Sequence, residues 1–391
     1  MRLLRAVGMA SAFFGAAVPA LGGSQAGAAV PVLVGGVSGA YGGAFSLNTT
    51  TGVLALTSSS QAFGASPAYM ALSPDRAMLY VTNHNAGPAS GVTSLSVTWS
   101  APGASGARVP AFALQGFVAC DDPAHIALHP SGLWAMTASY SAGTVSLFAV
   151  DAARTLRLQT TVPAGANAHQ VVYNNACVYV PCLGDDTVAQ FTLDPGSGAL
   201  RPLAMAPTVS LPAGSGPRHM AISSDGRRAW VLCELSSQLF EFEFDVGGSL
   251  VPVAGVPPVN TTRPGRPPAQ VQAAAAIVLS EDGRFIYVSN RASGQNGTGD
   301  NSVLALAVGA PGTPATPVSW ADAGGALAFP RDISLLRVAG DPFLVVASQH
   351  GNSLSVFARD AASGALNLVG AAATPSAPVQ GPSFVLPLAP W

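Results

Sequence analysis

Ionisable side chains are scarce in this sequence, and three arginines stand at the ends of apolar runs. Charged residues make up 9% of the 391 residues, with 17 basic residues, all of them arginine, against 19 acidic ones. Typical soluble domains carry roughly 25%. Arg218 and Arg331 open apolar runs in the phrases PRHM and PRDI, and Arg291 closes another in VSNR. Because a guanidinium pairs bidentately with carboxylate or phosphate, we expect these arginines to bind an anion.

Several other kinds of chemistry find no support in the residue pattern. The acidic pairs Asp121-Asp122 and Asp185-Asp186 lie in predicted turns and do not converge from several strands as the ligands of a hard cation do. No G-x-S-x-G elbow is present. The early glycine cluster GGVSGAYGG lacks the spacing of a dinucleotide-binding loop. We therefore predict a site without metal or cofactor.

The cysteines do not suggest a metal or redox centre either. Their spacing matches no zinc site or CxxC pattern, and they are too few for a disulfide framework. We predict buried thiols, and one oxidised pair stays open if the protein is exported, with Cys177 and Cys182 in one hairpin region. The four cysteines are Cys120, Cys177, Cys182 and Cys233.

A repeated phrase organises the chain. It consists of an apolar alternating run, a polar turn often built on Ser-x-Asp-Gly and a second apolar run, which predicts a β-hairpin. The copies recur roughly every 50 residues, a period typical of radial β-repeats. The clear copies are PAYMALSPDRAMLYVTN at 67–83, PAHIALHPSGLWAMTAS at 123–139, PRHMAISSDGRRAWVLCE at 217–234 and AAIVLSEDGRFIYVSNR at 275–291, with fainter ones from 168 and 330.

The segments after each hairpin complete a larger unit. A third strand and a turn lead into a short fourth strand, as in DPGSGALRPLA at 194–204 and DAASGALNLVG at 360–370. Four antiparallel strands form one blade of a β-propeller. The predicted fold over residues 29–391 is therefore all-β, a seven-bladed β-propeller of four-stranded antiparallel blades. The units start near residues 30, 67, 123, 168, 217, 275 and 330, and the tail at 382–391 is expected to pair into the first blade and close the ring.

The first 28 residues have the pattern of a signal peptide. Arg2 and Arg5 form a positive region, an apolar stretch follows, and Ala26-Gly27-Ala28 supplies a cleavage signal. No later stretch reaches the ~18 apolar residues of a membrane span. We therefore expect a periplasmic or secreted protein that is not held in a membrane after cleavage.

With the blades laid out, the sequence resembles the lactonase family of seven-bladed propellers, whose named activities are 6-phosphogluconolactonase and carboxymuconate cyclase. The resemblance covers nearly the whole chain after the leader. Its most specific parts are GSGPRHMAISSDGRRAWVLCELSS at 214–237, LSEDGRFIYVSNR at 279–291, and the phrases AHQVVY, FPRDISL and ASQHGNSLSVF. The sequence departs from the family at Ala276, where an acidic residue is common, and at His84, where glutamate is usual.

The resemblance also implies a site. The family's proposed catalytic residues fall on His169, Arg218, Glu234 and Arg291. The resemblance implies that Glu234 or His169 acts as general base, while Arg218 and Arg291 bind the substrate anion and the developing oxyanion. Polar positions in corresponding parts of other blades are expected to bind substrate; they are His125, His219, Arg331 and Gln349.

The expected function is hydrolysis of a small-molecule sugar lactone, phosphorylated or not. Two alternatives stay open at this point, because the same residues suit a lactone-forming cyclase of the carboxymuconate type, and because a propeller also serves as a non-catalytic module that binds a ligand or partner. The formal net charge of −2 argues against a nucleic-acid partner. The oligomeric state is left undetermined.

Overall fold

The predicted hairpins form with the turn geometry that their sequence demands. In the hairpin at 223–228, Ser223 Oγ donates to Asp225 Oδ1 at 2.6 Å and accepts from the amide of Arg228 at 2.9 Å. Gly226, the next residue after the aspartate, has φ of 68°. A glycine accepts this left-handed conformation without steric cost. The copy at 280–285 repeats the same side-chain hydrogen bonds.

The structure is a computed structural model, and it describes residues 29–84, 87–103, 108–265, 272–293, 299–336, 340, 342–369 and 379–388. The predicted signal peptide at 1–28 lies outside these residues. Within them the chain is built of β-strands, with short 3-10 turns at Gln61–Phe63, Gly87–Ala89 and Ala323–Gly325.

The strands form seven antiparallel sheets, the blades, which confirms the predicted fold. Blade one contains β30 (Pro382–Pro387), β1 (Ala29–Gly36), β2 (Gly42–Asn48) and β3 (Leu54–Ser60). Blade two contains β4 (Pro67–Leu72), β5 (Met78–Asn83), β6 (Gly91–Trp99) and β7 (Pro110–Ala119). Blade three contains β8 (Pro123–Leu128), β9 (Trp134–Ser139), β10 (Thr144–Val150) and β11 (Leu156–Pro163).

The remaining four blades follow in chain order. Blade four contains β12 (Val172–Asn174), β13 (Cys177–Cys182), β14 (Thr187–Asp194), β15 (Ala199–Pro202) and β16 (Thr208–Ser210). Blade five contains β17 (Pro217–Ile222), β18 (Arg228–Cys233), β19 (Gln238–Phe244), β20 (Leu250–Pro252) and β21 (Val259–Asn260). Blade six contains β22 (Gln272–Leu279), β23 (Phe285–Ala292), β24 (Ser302–Ala307) and β25 (Thr316–Ala321), and blade seven contains β26 (Pro330–Leu335), β27 (Phe343–Ser348), β28 (Ser353–Arg359) and β29 (Leu366–Leu368).

Blades four and five differ from the prediction in their outer position. There two short strands replace one, because β15 and β16 both pair with β14, and β20 and β21 both pair with β19. Proline has no amide hydrogen to donate to a ladder. Pro202 and Pro252 are the last residues of β15 and β20, and a second short strand follows each of them in the outer position.

The C-terminal strand closes the ring as predicted. β30 pairs antiparallel with β1, with Leu386 opposite Leu33 and Val385 opposite Val34. Blade one is thereby made from both ends of the described chain, and the edge of β1 is covered by hydrogen bonds to β30 instead of being left open.

The apolar core lies between the blades. Seven clusters of buried apolar side chains in the described residues each join two neighbouring blades. Buried tyrosines add polar ties of the same kind: the hydroxyl of Tyr80 donates to the carbonyl of Arg154 in the next blade, at 2.8 Å. Tyr287 donates in the same way to Gly364, at 2.9 Å. Each blade is therefore held by its neighbours.

The cysteines are free thiols. Cys177 and Cys182 begin and end the same strand, β13, so they do not form the bond that the sequence left open. Cys233 is buried as well, whereas Cys120 is half-buried. Burial of the thiols is thus confirmed for three of the four.

A β-bulge recurs at the start of the inner strands. In β17, Pro217 pairs with Cys233 and His219 with Leu232, so Arg218 between them has no partner. A bulge of this kind redirects the unpaired side chain. Proline suits the first strand position because it has no amide to pair. The same register shift follows the first proline of β4, β8, β26 and β30, and the bulged residues are Ala68, Ala124, Arg331 and Ser383.

The ring closure can be tested by truncating one side chain of β30. Phe384 is 4% exposed and its ring centroid lies 4.0 Å from that of Tyr69 in blade two. We expect Phe384→Ala to lower the free energy of unfolding by about 3–5 kcal/mol, because it leaves a cavity between blades. Leu368→Ala on the outer strand β29, where the side chain is 40% exposed, should cost far less. Equal losses in urea unfolding would contradict the closure.

Candidate active site

The predicted site residues meet at one end of the propeller axis because of how the strands run. The first and second strands of a blade are antiparallel, so the start of one and the end of the other lie at the same face. Arg218 is the second residue of β17, and Glu234 directly follows β18. Arg291 is the penultimate residue of β23 in the next blade. Residues far apart in sequence are thus brought together.

Glu234 joins two arginines from neighbouring blades. Its Oε2 lies 2.8 Å from Nε of Arg218 and 2.6 Å from Nη2 of Arg291. Both guanidiniums also donate to backbone carbonyls of β22: Arg218 Nη1 to Ala275 at 2.5 Å, Arg291 Nη2 to Ala274 at 3.1 Å and Arg291 Nε to Ala273 at 3.2 Å. We call Arg218, Glu234 and Arg291 the ion-pair cluster. Its two guanidiniums are fixed on most sides.

The charges of the ion-pair cluster stabilise one another. Burial raises the pKa of Glu234, but the positive charges of Arg291 and Arg218 together lower it by more than burial raises it. The pKa of Glu234 therefore lies below its usual range. Burial and Arg291 lower the pKa of Arg218 to about 9, against the opposing effect of Glu234. Arg218 and Glu234 are therefore both charged at neutral pH, and Glu234 is a weak base.

Arg331 is the arginine at the site that has no carboxylate partner among the described residues. Its Nη1 donates to Oε1 of Gln349 at 3.1 Å, so these two predicted substrate-binding residues contact each other. Burial and the nearby Arg291 lower the pKa of Arg331 to about 10, so it stays charged at neutral pH. Its guanidinium is the site's available binding group for an anion.

Two of the predicted histidines lie beside the arginines in neutral form. The ring centroid of His169 is 5.1 Å from that of His219, and Nε2 of His219 is 3.2 Å from Nη1 of Arg218. Burial and the charge of Arg218 hold the pKa of both imidazoles well below the usual value. Within the described chain, the buried Nδ1 of His169 has no hydrogen-bond partner. It is therefore free to bond to a ligand or a water.

His125 lies behind this layer. Its ring packs against that of Tyr69 with centroids 4.0 Å apart, and its Nδ1 accepts from the amide of Val171 at 3.4 Å. Burial and the charge of Arg218 lower its pKa to about 3. The predicted contact of His125 with substrate stays a prediction, since the residue is not part of the pocket wall.

A small polar pocket at the axis gathers the bulged residues. Three small side chains line one side, and the two bulged arginines, with two of the predicted histidines, line the other. The wall consists of Ala68, Tyr69, Ala124, His169, Arg218, His219, Arg331, Asp332 and Ser383. Glu234 and Arg291 attach to it through Arg218, and Gln349 attaches through Arg331.

The sequence interpretation missed Asp332 and the tyrosines. Asp332 is buried, and its Oδ2 accepts from the amide of Val385 at 2.9 Å. Burial raises its pKa to about 7, although that hydrogen bond and the charge of Arg218 oppose the shift. The signal was present in the repeats, because Asp332 stands two residues after the first proline of its blade, as Tyr69 and His219 do.

Phe329 supports Arg291 from outside the pocket. The Arg291 guanidinium lies 4.9 Å from the centre of its ring, within cation–π distance. The phenylalanine has φ of 59°, a conformation uncommon for a bulky residue. On the other side its ring is stacked on His350, with centroids 4.0 Å apart.

Neither a metal cluster nor a spanning helix is found in the described ranges. No group of three or more histidine, cysteine, aspartate or glutamate side chains there could hold a metal ion. No helix there is long and apolar enough to cross a membrane.

The fold and this pocket together define a seven-bladed propeller with a charged axial site. Residues 32–386 match the family described as lactonase, 7-bladed beta-propeller, and the chain belongs to this family. A 6-phosphogluconolactonase of Yersinia pestis is 29% identical over 229 residues, which are 57% of this chain and 62% of that protein. The chain thus spans less than two thirds of the length of such curated relatives.

Solved structures match over more of the chain. The periplasmic gluconolactonase of Pseudomonas aeruginosa has a TM-score of 0.75 at 25% identity, and the match covers 93% of this chain and 99% of that one. A protein from Lactobacillus plantarum also has a TM-score of 0.75 at 25% identity, covering 92% and 99%.

Asp332 generates a prediction about stability. Some carboxyl groups have a higher pKa in the folded protein than in the unfolded chain. Such a group makes the fold progressively less stable as pH rises from the unfolded to the folded pKa, because the unfolded chain releases its proton first. For Asp332 that range runs from 3.8 to about 7. We expect the free energy of unfolding of Asp332→Asn to exceed that of the unchanged protein by an amount that grows with pH across this range, by up to about 1.4 kcal/mol per pH unit. The gain should level off above it.

Urea unfolding of both proteins at several pH values between 4 and 8.5 measures this difference. Asparagine retains an oxygen that accepts from Val385, so the comparison isolates the charge. A difference that does not change with pH would show that Asp332 is not destabilised by burial.

Proposed function

We propose that this protein hydrolyses a sugar lactone at the axial pocket. The observation that carries the proposal is the pairing of a fixed ion-pair cluster with one arginine, Arg331, that has no carboxylate partner in the described chain. Ring opening of a lactone generates negative charge on the carbonyl oxygen and ends in a carboxylate. Positioned guanidiniums stabilise both.

The arginines supply the electrostatic part of this mechanism. As water adds to the lactone carbonyl, its oxygen becomes an oxyanion, and donors already fixed in place stabilise it without reorganising. Arg218 and Arg291 are fixed by Glu234 and by the carbonyls of β22. Arg331 is held by Gln349 through one nitrogen, which leaves other donors for the substrate.

The role of Glu234 changes from the one that the resemblance implies. Both arginines contact the same oxygen, Oε2, and their charges keep the carboxylate ionised. A carboxylate so stabilised is a poor proton acceptor. We infer that Glu234 mainly positions the two guanidiniums, while His169, whose Nδ1 has no partner in the described residues, hydrogen-bonds to the substrate.

The charge balance supports an anionic or polyhydroxylated substrate. Three arginines are set against two carboxyl groups, Glu234 and Asp332, so positive charge is in excess at the site. The relatives named above include a 6-phosphogluconolactonase and a periplasmic gluconolactonase. We therefore propose a gluconolactone-type substrate for this chain, with Arg331 as the residue that contacts a phosphate or the carboxylate produced.

Export completes the proposal. Residues 1–28 have the signal-peptide pattern, and the Pseudomonas aeruginosa neighbour is a periplasmic protein by its name. A periplasmic or secreted location favours an unphosphorylated lactone, since phosphorylated sugar acids are cytoplasmic metabolites.

The test is acid release by the purified protein at constant pH, corrected for spontaneous ring opening. We expect turnover of glucono-δ-lactone or 6-phosphogluconolactone, or both, and none of a muconolactone. Background rates on both sugar lactones would contradict the proposal and favour the cyclase or a binding propeller.

A matched pair of variants ties the activity to the pocket. Arg331→Gln keeps a polar side chain, although a shorter one, and removes the charge, and we expect it to raise KM for the better substrate by at least tenfold. Arg227→Gln removes an exposed arginine in a hairpin turn at the opposite end of blade five and should change nothing. Equal kinetics for the two variants would remove Arg331 from the site.

A further inference from the structure

One histidine of this chain has the partner that a general base requires. Nδ1 of His84 lies 2.7 Å from Oδ1 of Asp122, and the side chains are 7% and 12% exposed. The chain has six histidines, all within the described residues. In those residues the other five have no carboxylate within salt-bridge distance. A carboxylate on Nδ1 fixes the tautomer and orientation of an imidazole, so that Nε2 is the free acceptor.

Asp122 is itself held in place between two blades. The hydroxyl of Ser141 donates to its Oδ2, and the amide of Tyr140 donates to its backbone carbonyl at 3.0 Å. Asp122 directly precedes β8 of blade three, whereas His84 follows β5 of blade two. The pair therefore bridges two blades on the same face as the ion-pair cluster, because both residues lie at the strand ends that form that face.

A tyrosine connects this pair to the pocket. The ring centroid of Tyr140 lies 6.2 Å from that of His84 and 5.7 Å from that of His169, edge-on to both. Burial and the charge of Arg331 lower the pKa of His84, while Asp122 raises it. His84 is not itself part of the pocket wall, and Tyr140 connects it to His169, which is, from the side of blades two and three.

The two base candidates from the sequence lack what His84 has. Glu234 is held ionised by two arginines on one oxygen and is therefore a weak base, and His169 has a buried Nδ1 with no orienting group among the described residues. A base in hydrolysis must be oriented as well as unprotonated. Burial lowers the pKa of His84 despite the opposing charge of Asp122, so the imidazole is neutral at pH 7.

We propose that His84, oriented by Asp122, is the proton acceptor of the lactone hydrolysis. This inference rests on the proposed function. His84 Nε2 takes a proton from water as the water oxygen bonds to the carbonyl carbon and the carbonyl π electrons move to the oxygen. When the tetrahedral intermediate collapses, the ring C–O bond breaks, and Nε2 returns the proton to the leaving alkoxide. Lactone and water become one hydroxy acid.

The charged and titratable groups that face His84 define its pH response. They are Asp122, which raises its pKa, and Arg331, which lowers it. Tyr140 and His169 face it as neutral rings at pH 7, since burial raises the pKa of the first and lowers that of the second. The acid limb of the pH–rate profile for kcat/KM should therefore report His84 and depend on Asp122.

The experiment compares His84→Gln with His129→Gln on the sugar lactone that the protein turns over. His129 is bonded to Ser131 in a turn at the opposite face and is a matched control. We expect His84→Gln to lower kcat by ~10²–10⁴-fold with little change in KM, the usual contribution of general-base catalysis. Imidazole added to His84→Ala should restore part of the rate. His129→Gln should match the unchanged protein.

Asp122→Asn provides a second, independent readout. It removes the charge that raises the pKa of His84, so the acid limb should move to lower pH. If His84→Gln fails to fold, the acid limb of Asp122→Asn still tests whether His84 is the proton acceptor. An unchanged kcat in folded His84→Gln, or an unmoved acid limb in Asp122→Asn, would overturn this inference alone. An unchanged protein that opens no lactone would overturn the proposed function instead.

Discussion

The site depends on one shared oxygen atom. Oε2 of Glu234 contacts guanidiniums from two different blades, and without it two buried positive charges would face each other. Removing one partner of a buried ion pair is strongly destabilising because it leaves an uncompensated charge. Glu234 therefore makes it physically feasible for Arg218 and Arg291 to lie side by side at the axis. Backbone carbonyls of β22 accept further hydrogen bonds from both guanidiniums.

The propeller positions the side chains of the pocket through a repeated β-bulge at the start of its inner strands. In five blades an inner strand begins with proline and continues with a bulged residue whose side chain lines the pocket. The bulged position is occupied by alanine, serine or arginine in different blades. Chemistry is thus set by which blade carries a large side chain at this position, and blades five and seven carry Arg218 and Arg331.

The repeats were sufficient to predict the blades, their number and the closing strand, because alternation and turn residues are local signals. The cluster of Arg218, Glu234 and Arg291 was also predictable, although only through motifs of the family. Asp332 also carried a signal, since it occupies the same repeat position as Tyr69 and His219. The pairing of His84 with Asp122 was not predictable, because it depends on which strand ends meet across two blades, and a single sequence does not give the spacing between blades.

The central claim is that the axial pocket binds the lactone and its acid product. A crystal structure of the protein with gluconate, and a second with 6-phosphogluconate, would test it most directly. The account predicts the carboxylate or phosphate within hydrogen-bond distance of Arg331, with the sugar between Arg218 and His84. A product bound only away from the axis, for example in the groove between blades two and three lined by Asp121 and Leu158, would contradict it.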